Sequence, residues 1–356
     1  MRKKYTNIYI IIVALVLLSI GIIKLINNDN NVKKDKISEE QDTVSTNFKS
    51  DEEATGLNNL SSWVVYWDLK VDKEIDKLDN KLKSISYFAA NFDENNNLTV
   101  PANLIEYHNE AKTYSFEKYI TIVNDVVYDN GEAVAKDTNV LSAVLNDEVS
   151  RRNHIDEIIG LANKYEFDGV EIDYEQIKGD LALWNNFLLF IEELYNETSS
   201  KELELRVLLE PNIPIENLKF IEGPTYVIMC YNLHGDYSEA GEKANEEFIK
   251  DLIEKMKKIN SDKIFAIATG GYDWGENGNT KAITELEANE TIQQYNVEIQ
   301  RDSDSNYLYF NYVDKDNIKH EVWYADKETL EYLAKVIAEE GYDIALWRLG
   351  GNIFKN

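Results

Sequence analysis

The fold of this chain is decided by residues 167–175, which read Phe-Asp-Gly-Val-Glu-Ile-Asp-Tyr-Glu. Side chains alternate across a β-strand, so Glu171, Asp173 and Glu175 share one face, while apolar residues and a tyrosine occupy the other. A solvated strand at the edge of a sheet would also present acidic residues on one face. The flanking sequence decides between an exposed edge and a buried position.

Amphipathic patterns at residues 147–165 and 181–195 lie on either side of this acidic strand. Helices on both sides of a strand imply a buried parallel sheet, in which the apolar face packs on the helices and the carboxylates point inward. Confined carboxylates repel one another and raise at least one pKa. Glu175 comes last, at the C-terminal end of the strand, where barrel proteins place their functional groups.

Short β-branched or aromatic runs alternate with amphipathic stretches from residue 63 onward, which is typical of βα units around a parallel sheet. Eight runs are predicted as strands, at residues 63–69, 84–90, 119–124, 169–175, 203–210, 226–231, 263–269 and 343–347. Residues 239–259 and 327–340 add helical patterns. Runs at 307–313 and 318–324 flank a polar turn and predict a hairpin. The predicted fold class is α/β, a (β/α)8 TIM barrel with a small hairpin insertion between strands seven and eight.

The composition excludes several classes of function. A net charge of −28 repels phosphodiester backbones, so we expect no nucleic-acid partner, whereas neutral sugars remain compatible. Cys230 is the single cysteine, which excludes an internal disulfide framework and a cysteine cluster for zinc. Four scattered histidines have no metal-binding spacing. We therefore expect no metal and no cofactor.

Residues 8–23 form an almost unbroken apolar run that follows three basic residues at positions 2–4. At about 1.5 Å per residue the run is slightly shorter than a bilayer core, but Lys24 can snorkel and extend the span through Ile26. The basic N-terminus predicts that the remainder lies outside the cytoplasm. A cleaved signal peptide is the alternative, although no small-x-small cleavage motif follows the run.

Three regions are predicted along the chain. Residues 1–26 form a signal-anchor, a transmembrane helix that places the protein in the cell membrane with a single pass. Residues 27–57 are rich in Asn, Lys, Asp, Glu and Ser and read as a flexible stalk. Residues 58–356 form the barrel.

Four separated motifs resemble glycoside hydrolase family 18, the chitinase family. Residues 168–175 resemble its DGxDxDxE signature, residues 226–235 its sixth-strand pattern, and residues 345–350 the segment around its eighth-strand tryptophan. Residues 320–326 are similar to the segment before the final helix in the bacterial spore-germination branch, the YaaH-like hydrolases of cortex peptidoglycan. The motifs occur in the family's order.

The resemblance implies a catalytic mechanism. Glu175 would protonate the glycosidic oxygen at a β-1,4 linkage of N-acetylglucosamine, while the acetamido oxygen of the substrate attacks the anomeric carbon. Asp173 would accept the acetamido N–H, and Tyr231 would donate to the acetamido oxygen. The reaction would retain the anomeric configuration without a protein nucleophile.

The same resemblance implies substrate-binding residues. Trp347 would form an apolar floor under the reacting sugar, and Trp67 and Trp274 would line further subsites, with plain packing as the alternative. Glu171 replaces the middle aspartate of the signature, and Asn232 replaces the aspartate beside the tyrosine of the sixth strand. Both replacements are expected to alter how the sugar or its neighbours are held.

The implied partner is a glycan that contains N-acetylglucosamine, bound by a monomer, and peptidoglycan, chitin and N-glycans all remain open. A non-catalytic, lectin-like barrel is the main alternative, since the family includes such members. The chain keeps the acid at Glu175, which favours catalysis. A structural interaction protein would leave the inward acidic face without an explanation.

Overall fold

Eight parallel strands close into a barrel in the computed structural model, which describes residues 57, 59–111 and 114–354. The barrel strands are β1 (Leu60–Val65), β2 (Leu82–Phe92), β3 (Glu117–Val127), β4 (Gly169–Asp173), β5 (Glu204–Leu209), β6 (Thr225–Met229), β7 (Lys263–Ala268) and β8 (Asp343–Trp347). Each strand pairs with its neighbours in sequence, and β8 pairs with β1 to complete the circle. The predicted (β/α)8 class is confirmed for the described residues.

Helices lie between successive strands except between β5 and β6, where the described chain has only the 3-10 helix Ile215–Asn217. The α-helices are α1 (Asp72–Leu78), α2 (Ala102–Glu110), α3 (Thr138–Val144), α4 (Glu148–Tyr165), α5 (Leu181–Ser200), α6 (Glu246–Met256), α7 (Glu285–Tyr295) and α8 (Lys327–Glu339). Side-chain caps fix where several of these helices begin, because the side-chain oxygen of the capping residue accepts from backbone N–H groups that have no partner within the helix. Asp147 accepts from the N–H of Ser150 at the start of α4. Asn245 caps α6, so this helix begins later than the predicted residue 239.

Two separate hydrophobic clusters follow from the alternation of side chains along the strands. Outward residues such as Tyr226 and Ile228 of β6 pack against the helices, whereas Val227 and Met229 of the same strand belong to a smaller cluster inside the barrel. Leu57, which was predicted to belong to the stalk, is buried in the outer cluster.

The insertion between β7 and β8 is larger than the predicted hairpin. Leu308–Val313 and Lys319–Ala325 do form that hairpin, but they belong to a five-stranded antiparallel sheet. Its other strands are Gly270–Gly275, Thr280–Ile283 and Gln300–Arg301. Helix α7 packs on this sheet, and the two share an apolar cluster of their own. Thr280–Ile283 and Gln300–Arg301 are too short to give a strand signal in the sequence. Gly270–Gly275 follows β7 after only one residue, so the sequence does not separate it from β7.

The chain after β8 folds back over the start of the barrel. The N–H of Leu349 donates to the carbonyl of Trp63 at 3.0 Å. Buried Glu74 of α1 accepts from the backbone N–H groups of Gly350 and Asn352, both at 3.0 Å. Residues 348–354 contain no helix. These bonds hold the C-terminal segment across the first βα unit.

The predicted transmembrane helix at residues 1–26 and the stalk, apart from Leu57, lie outside the described residues. Among the helices that the structure does describe, none combines the length and the apolar character needed to cross a bilayer.

Candidate active site

Strand β4 places its acidic residues as the alternation predicts. Val170 and Ile172 are buried in the outer cluster, whereas Glu171 and Asp173 are buried on the opposite face, inside the barrel. The strand begins at Gly169, where an added Cβ would lie 2.4 Å from a ring carbon of Tyr119. Glycine is therefore required for the close approach of β3 and β4.

Glu171 is held deep in the barrel by three donors from three other strands. Trp63 Nε1 and Thr121 Oγ1 donate to Oε1 at 2.6 and 2.8 Å, and Ser86 Oγ donates to Oε2 at 3.1 Å. Burial raises the pKa of Glu171, while the Arg206 guanidinium and these hydrogen bonds oppose the rise. Glu171 thus anchors β1, β2 and β3 around β4 and uses its acceptor positions on protein groups.

Asp173 lies one pleat closer to the C-terminal end of the barrel and is only 4% exposed. No hydrogen-bond donor among the described residues contacts its Oδ1. Burial raises the pKa of Asp173 well above its ordinary value, the charge of Glu175 adds to the rise, and Lys136 opposes it. A buried acceptor without a donor is costly and therefore uncommon, and here it leaves one acceptor position open to a ligand.

Glu175 lies two residues beyond the end of β4. Asn124 of β3 fixes its backbone, because Oδ1 accepts from the N–H of Glu175 at 2.9 Å and Nδ2 donates to its carbonyl at 3.1 Å. The side chain is 13% exposed, and its Oε2 lies 2.5 Å from Lys136 Nζ. Burial raises the pKa of Glu175, and the negative charges of Glu210 and Asp125 add to the rise, whereas Lys136 lowers it.

Tyr231 and Trp347 complete the inner wall. Tyr231 belongs to the inner apolar cluster with Trp63, and partly buried Trp347 packs against that cluster. Burial raises the pKa of Tyr231 well above its ordinary value, and the charges of Asp173 and Glu175 add to the rise, so the phenol stays a hydrogen-bond donor. The ring of Trp347 meets that of Trp63 edge-on, with centroids 5.6 Å apart.

The remaining predicted binding residues differ in position. Trp67 is 53% exposed and packs edge-on against Phe88, which in turn packs against Trp347, so one run of aromatic rings leads outward from the inner wall. Trp274 is buried in the inserted sheet, where its Nε1 donates to the carbonyl of Gly235. Asn232 is exposed, with a positive φ of 75°. The described contacts do not join Trp274 or Asn232 to the carboxylates.

Three polar neighbours of the carboxylates were not predicted from the sequence. Asn124 ends a predicted strand, and a polar residue at that position was an available signal. Glu210 follows β5 and accepts from Gln176 beside Glu175, and Lys136 lies in the loop after β3. No periodicity marks such loop residues, because their role depends on which loops meet at the C-terminal end of the barrel.

A cavity of about 620 Å³ lies at the opposite end of the barrel, among residues such as Glu117, Glu204 and Lys263 at the N-terminal ends of the strands. Cavity volume therefore does not identify the site. The candidate site is instead marked by the paired buried carboxylates of Asp173 and Glu175 at the C-terminal end of the barrel.

The glycosyl hydrolases family 18 model matches residues 62–351, from the third residue of β1 to the segment after β8. The chain belongs to glycosyl hydrolase family 18. Family 18 is a family of glycoside hydrolases, and the resemblance to it is confirmed.

Two relatives of the chain come from Bacillus subtilis. The uncharacterized glycosylase YvbX of Bacillus subtilis (strain 168) is 28% identical over 247 residues, which cover 65% of this chain and 70% of YvbX. A cortical fragment-lytic enzyme of the same strain is 27% identical over 231 residues, which cover 58% of this chain and 52% of that enzyme. The chain therefore spans about half the length of this second relative.

The fold is shared with the crystal structure of the spore cortex-lytic enzyme SleL of Bacillus cereus. The TM-score is 0.70 at 19% sequence identity, and the match covers 83% of this chain and 71% of that chain. At this identity the likeness describes the fold alone.

Proposed function

We propose that this family 18 chain cleaves β-1,4 linkages at N-acetylglucosamine residues by substrate-assisted, retaining catalysis. The observation that carries the proposal is the open Oδ1 of buried Asp173 beside Glu175 at the C-terminal end of β4. An acetamido N–H is a donor of the kind this acceptor lacks. A donor bound there would hold the acetamido oxygen in line with the anomeric carbon.

The proposed steps use four side chains. Glu175 donates its proton to the glycosidic oxygen as the bond to the anomeric carbon breaks, and the acetamido oxygen attacks that carbon. Asp173 stabilises the positive oxazolinium ion, and Tyr231 donates to the acetamido oxygen before attack. Water then opens the ring, with Glu175 as base, and the configuration is retained. Trp347 supports the apolar face of the sugar.

Peptidoglycan is the proposed substrate among glycans that contain N-acetylglucosamine. The support is the kinship with cortical fragment-lytic and sporulation-specific proteins, together with the predicted tether, which would keep the barrel close to the cell wall. Chitin is the second candidate, since the fold of family 18 also serves chitinases.

We also propose that residues 1–26 anchor a monomer in the cell membrane with the barrel outside the cytoplasm. The support is the apolar run at residues 8–23 behind a basic N-terminus.

Glu175→Gln in the full chain, solubilised in detergent, tests the hydrolase proposal. We expect release of reducing ends from peptidoglycan glycan strands to fall by roughly 10²–10⁴-fold, because the amide cannot supply the proton. Binding of the same glycan, measured by calorimetry, should persist. Glu202→Gln is the matched control, since this exposed glutamate precedes β5 at the opposite end of the barrel.

Two outcomes would contradict the proposal in different ways. Glycan binding by the wild type without turnover would indicate the lectin-like barrel. An unchanged rate in Glu175→Gln, with normal folding, would remove Glu175 from the mechanism.

A further inference from the structure

Lys136 occupies the position next to the proposed acid. It follows the short strand Ala133–Val134, which pairs with the end of β3, and its backbone N–H donates to Asp125 Oδ1 at 2.7 Å. Its side chain is 43% exposed, and Nζ lies 2.5 Å from Glu175 Oε2. The backbone of Lys136 is therefore fixed, whereas its ammonium reaches the acid from the open side and can leave without disturbing the barrel.

Carboxylates face this ammonium from several elements. Asp125 comes from β3, Asp173 from β4, Glu175 from the loop after β4, and Glu210 from the end of β5. Tyr231, after β6, faces Asp173 and Glu175 as a neutral phenol. The ammonium of Lys136 is thus held in a pocket of negative charge.

The ion pair conflicts with the proposed role of Glu175. A general acid must carry a proton, whereas an ammonium in direct contact favours the ionised carboxylate. Lys136 must therefore leave Glu175 before the glycosidic oxygen can be protonated. Moving Lys136 away breaks its ion pair with Glu175. A ligand promotes this movement only if it binds more tightly to the state in which Lys136 has left Glu175 than to the state in which the two are paired.

The linkage that would be cut supplies such a group when the leaving sugar is acidic. In a β-1,4 glycan the leaving oxygen is O4 of the next sugar, and the 3-O substituent of that sugar is its immediate neighbour. A 3-O-lactyl group distinguishes muramic acid from glucosamine. Where it carries no peptide, it ends in a carboxylate a few bonds from the oxygen that Glu175 would protonate. Because Glu175 would contact that oxygen, the ammonium of Lys136, 2.5 Å from Glu175 Oε2, would start close to that carboxylate.

We propose that Lys136 is a specificity-determining residue, which exchanges Glu175 for a carboxylate on the 3-O substituent of the leaving sugar. The exchange rests on the proposed hydrolase function and extends it to a substrate class. With Lys136 on the substrate, Glu175 takes a proton from solvent and passes it to O4 as the anomeric bond breaks. A neutral leaving sugar offers no replacement for the ion pair and is cleaved less efficiently.

The test compares three tetrasaccharides with the full chain in detergent. The first alternates N-acetylglucosamine with N-acetylmuramic acid and carries free lactyl carboxylates. The second is its methyl ester, which is neutral but has the same shape. The third is the neutral tetramer of N-acetylglucosamine. The variants are Lys136→Met, Lys136→Arg and, as control, Lys178→Met, which changes an exposed lysine of the loop after β4.

The wild type should prefer the free acid over its ester by about tenfold or more in kcat/KM, which is typical for one close charge pair. Lys136→Met should reduce that ratio to near one, while Lys136→Arg and Lys178→Met should keep it. On the ester, the alkaline limb of the kcat/KM profile should move to higher pH in Lys136→Met, because Glu175 then keeps its proton longer. A purely structural lysine would not move this limb.

An unchanged acid-to-ester ratio in Lys136→Met would overturn the proposal. Calorimetric binding of the acid and the ester gives the same ratio without turnover. If the wild type cleaves none of the three glycans, the hydrolase proposal fails, and the binding ratios still decide whether Lys136 recognises the carboxylate.

Discussion

Asp173 and Glu175 lie at the same end of β4, but their negative charges are compensated to different extents. Glu175 has a cationic partner in Lys136, whereas Asp173 has an oxygen without a donor. A buried charge without full compensation lowers the stability of the folded state. The arrangement of Asp173 therefore favours ligand binding at the expense of stability.

Asp173→Asn should raise Tm at neutral pH while it reduces turnover by roughly 10²-fold or more. The folded-state pKa of Asp173 lies above its unfolded value, so the fold loses stability as the pH rises above the unfolded pKa, and the loss is complete above the folded pKa. The difference in Tm should reach about 3 °C or more near neutral pH and vanish below about pH 4, where the group is protonated in both states.

Thermal unfolding across this pH range measures the effect. Asp156→Asn, which changes an exposed aspartate of α4, is the control and should leave Tm unchanged. A lower Tm for Asp173→Asn at neutral pH would mean that the charge of Asp173 is compensated in the fold.

The sequence predicted which acidic residues of β4 face inward but not which groups they contact. Alternation alone placed Glu171, Asp173 and Glu175 on one face. The donors to Glu171 come from β1, β2 and β3, as far as 108 residues away, and only barrel closure brings them together. Lys136 was not predicted either, because the conformation of the loop after β3 sets its position.

The inserted sheet depends on the glycine pair Gly270 and Gly271, which begins one residue after β7. At Gly271 an added Cβ would lie 1.8 Å from the carbonyl oxygen of Trp323 on the adjacent strand. A methyl group at that position cannot be accommodated unless the two strands move apart. The close pairing of Gly270–Gly275 with Lys319–Ala325 thus requires glycine at this position.

Gly271→Ala should lower the free energy of unfolding by more than about 2 kcal/mol, or detach the inserted sheet. Gly160→Ala provides a matched comparison, because this exposed glycine of α4 has no neighbouring atom within 4 Å of an added Cβ. There the same change should stabilise the protein by about 0.5–1 kcal/mol, since alanine is the better helix former. Urea denaturation of both variants measures the contrast, and equal effects would contradict it.

The elements were predicted better than the insertion. All eight barrel strands overlap the β-branched and aromatic runs, because a strand buried on both faces has a strong apolar signal. Strand β1, however, begins three residues before the predicted residue 63 and ends at Val65 instead of residue 69. The inserted sheet has two-residue and four-residue strands, which are too short for any periodicity. Only its longest hairpin, Leu308–Val313 with Lys319–Ala325, could be predicted.

The charge of the whole chain bears on how it would stay at a membrane. With a net charge of −28, the protein is repelled by anionic lipid headgroups, so electrostatic adhesion cannot hold it there. Any stable association must come from burial of the apolar run at residues 8–23.

The full chain should therefore sediment with membranes, resist a wash with 1 M NaCl, and be released by detergent. Residues 58–356 alone should stay in the supernatant. Ultracentrifugation followed by immunoblotting measures both. Release of the full chain by salt, or its recovery as a shorter soluble form, would contradict the anchor, and the shorter form would indicate a cleaved signal peptide.

Barrel closure joins parts of the chain that are made far apart in time. Ser62 Oγ of β1 donates to the carbonyl of Leu346 in β8, across 284 residues. Until β8 exists, β1 and β7 are the bare edges of an open sheet, which are prone to pair with other chains. Synthesis of residues 269–347 takes roughly 4–16 s at typical ribosomal rates. During that interval both edges stay unpaired, because none of the described strands before β8 joins β1 to β7.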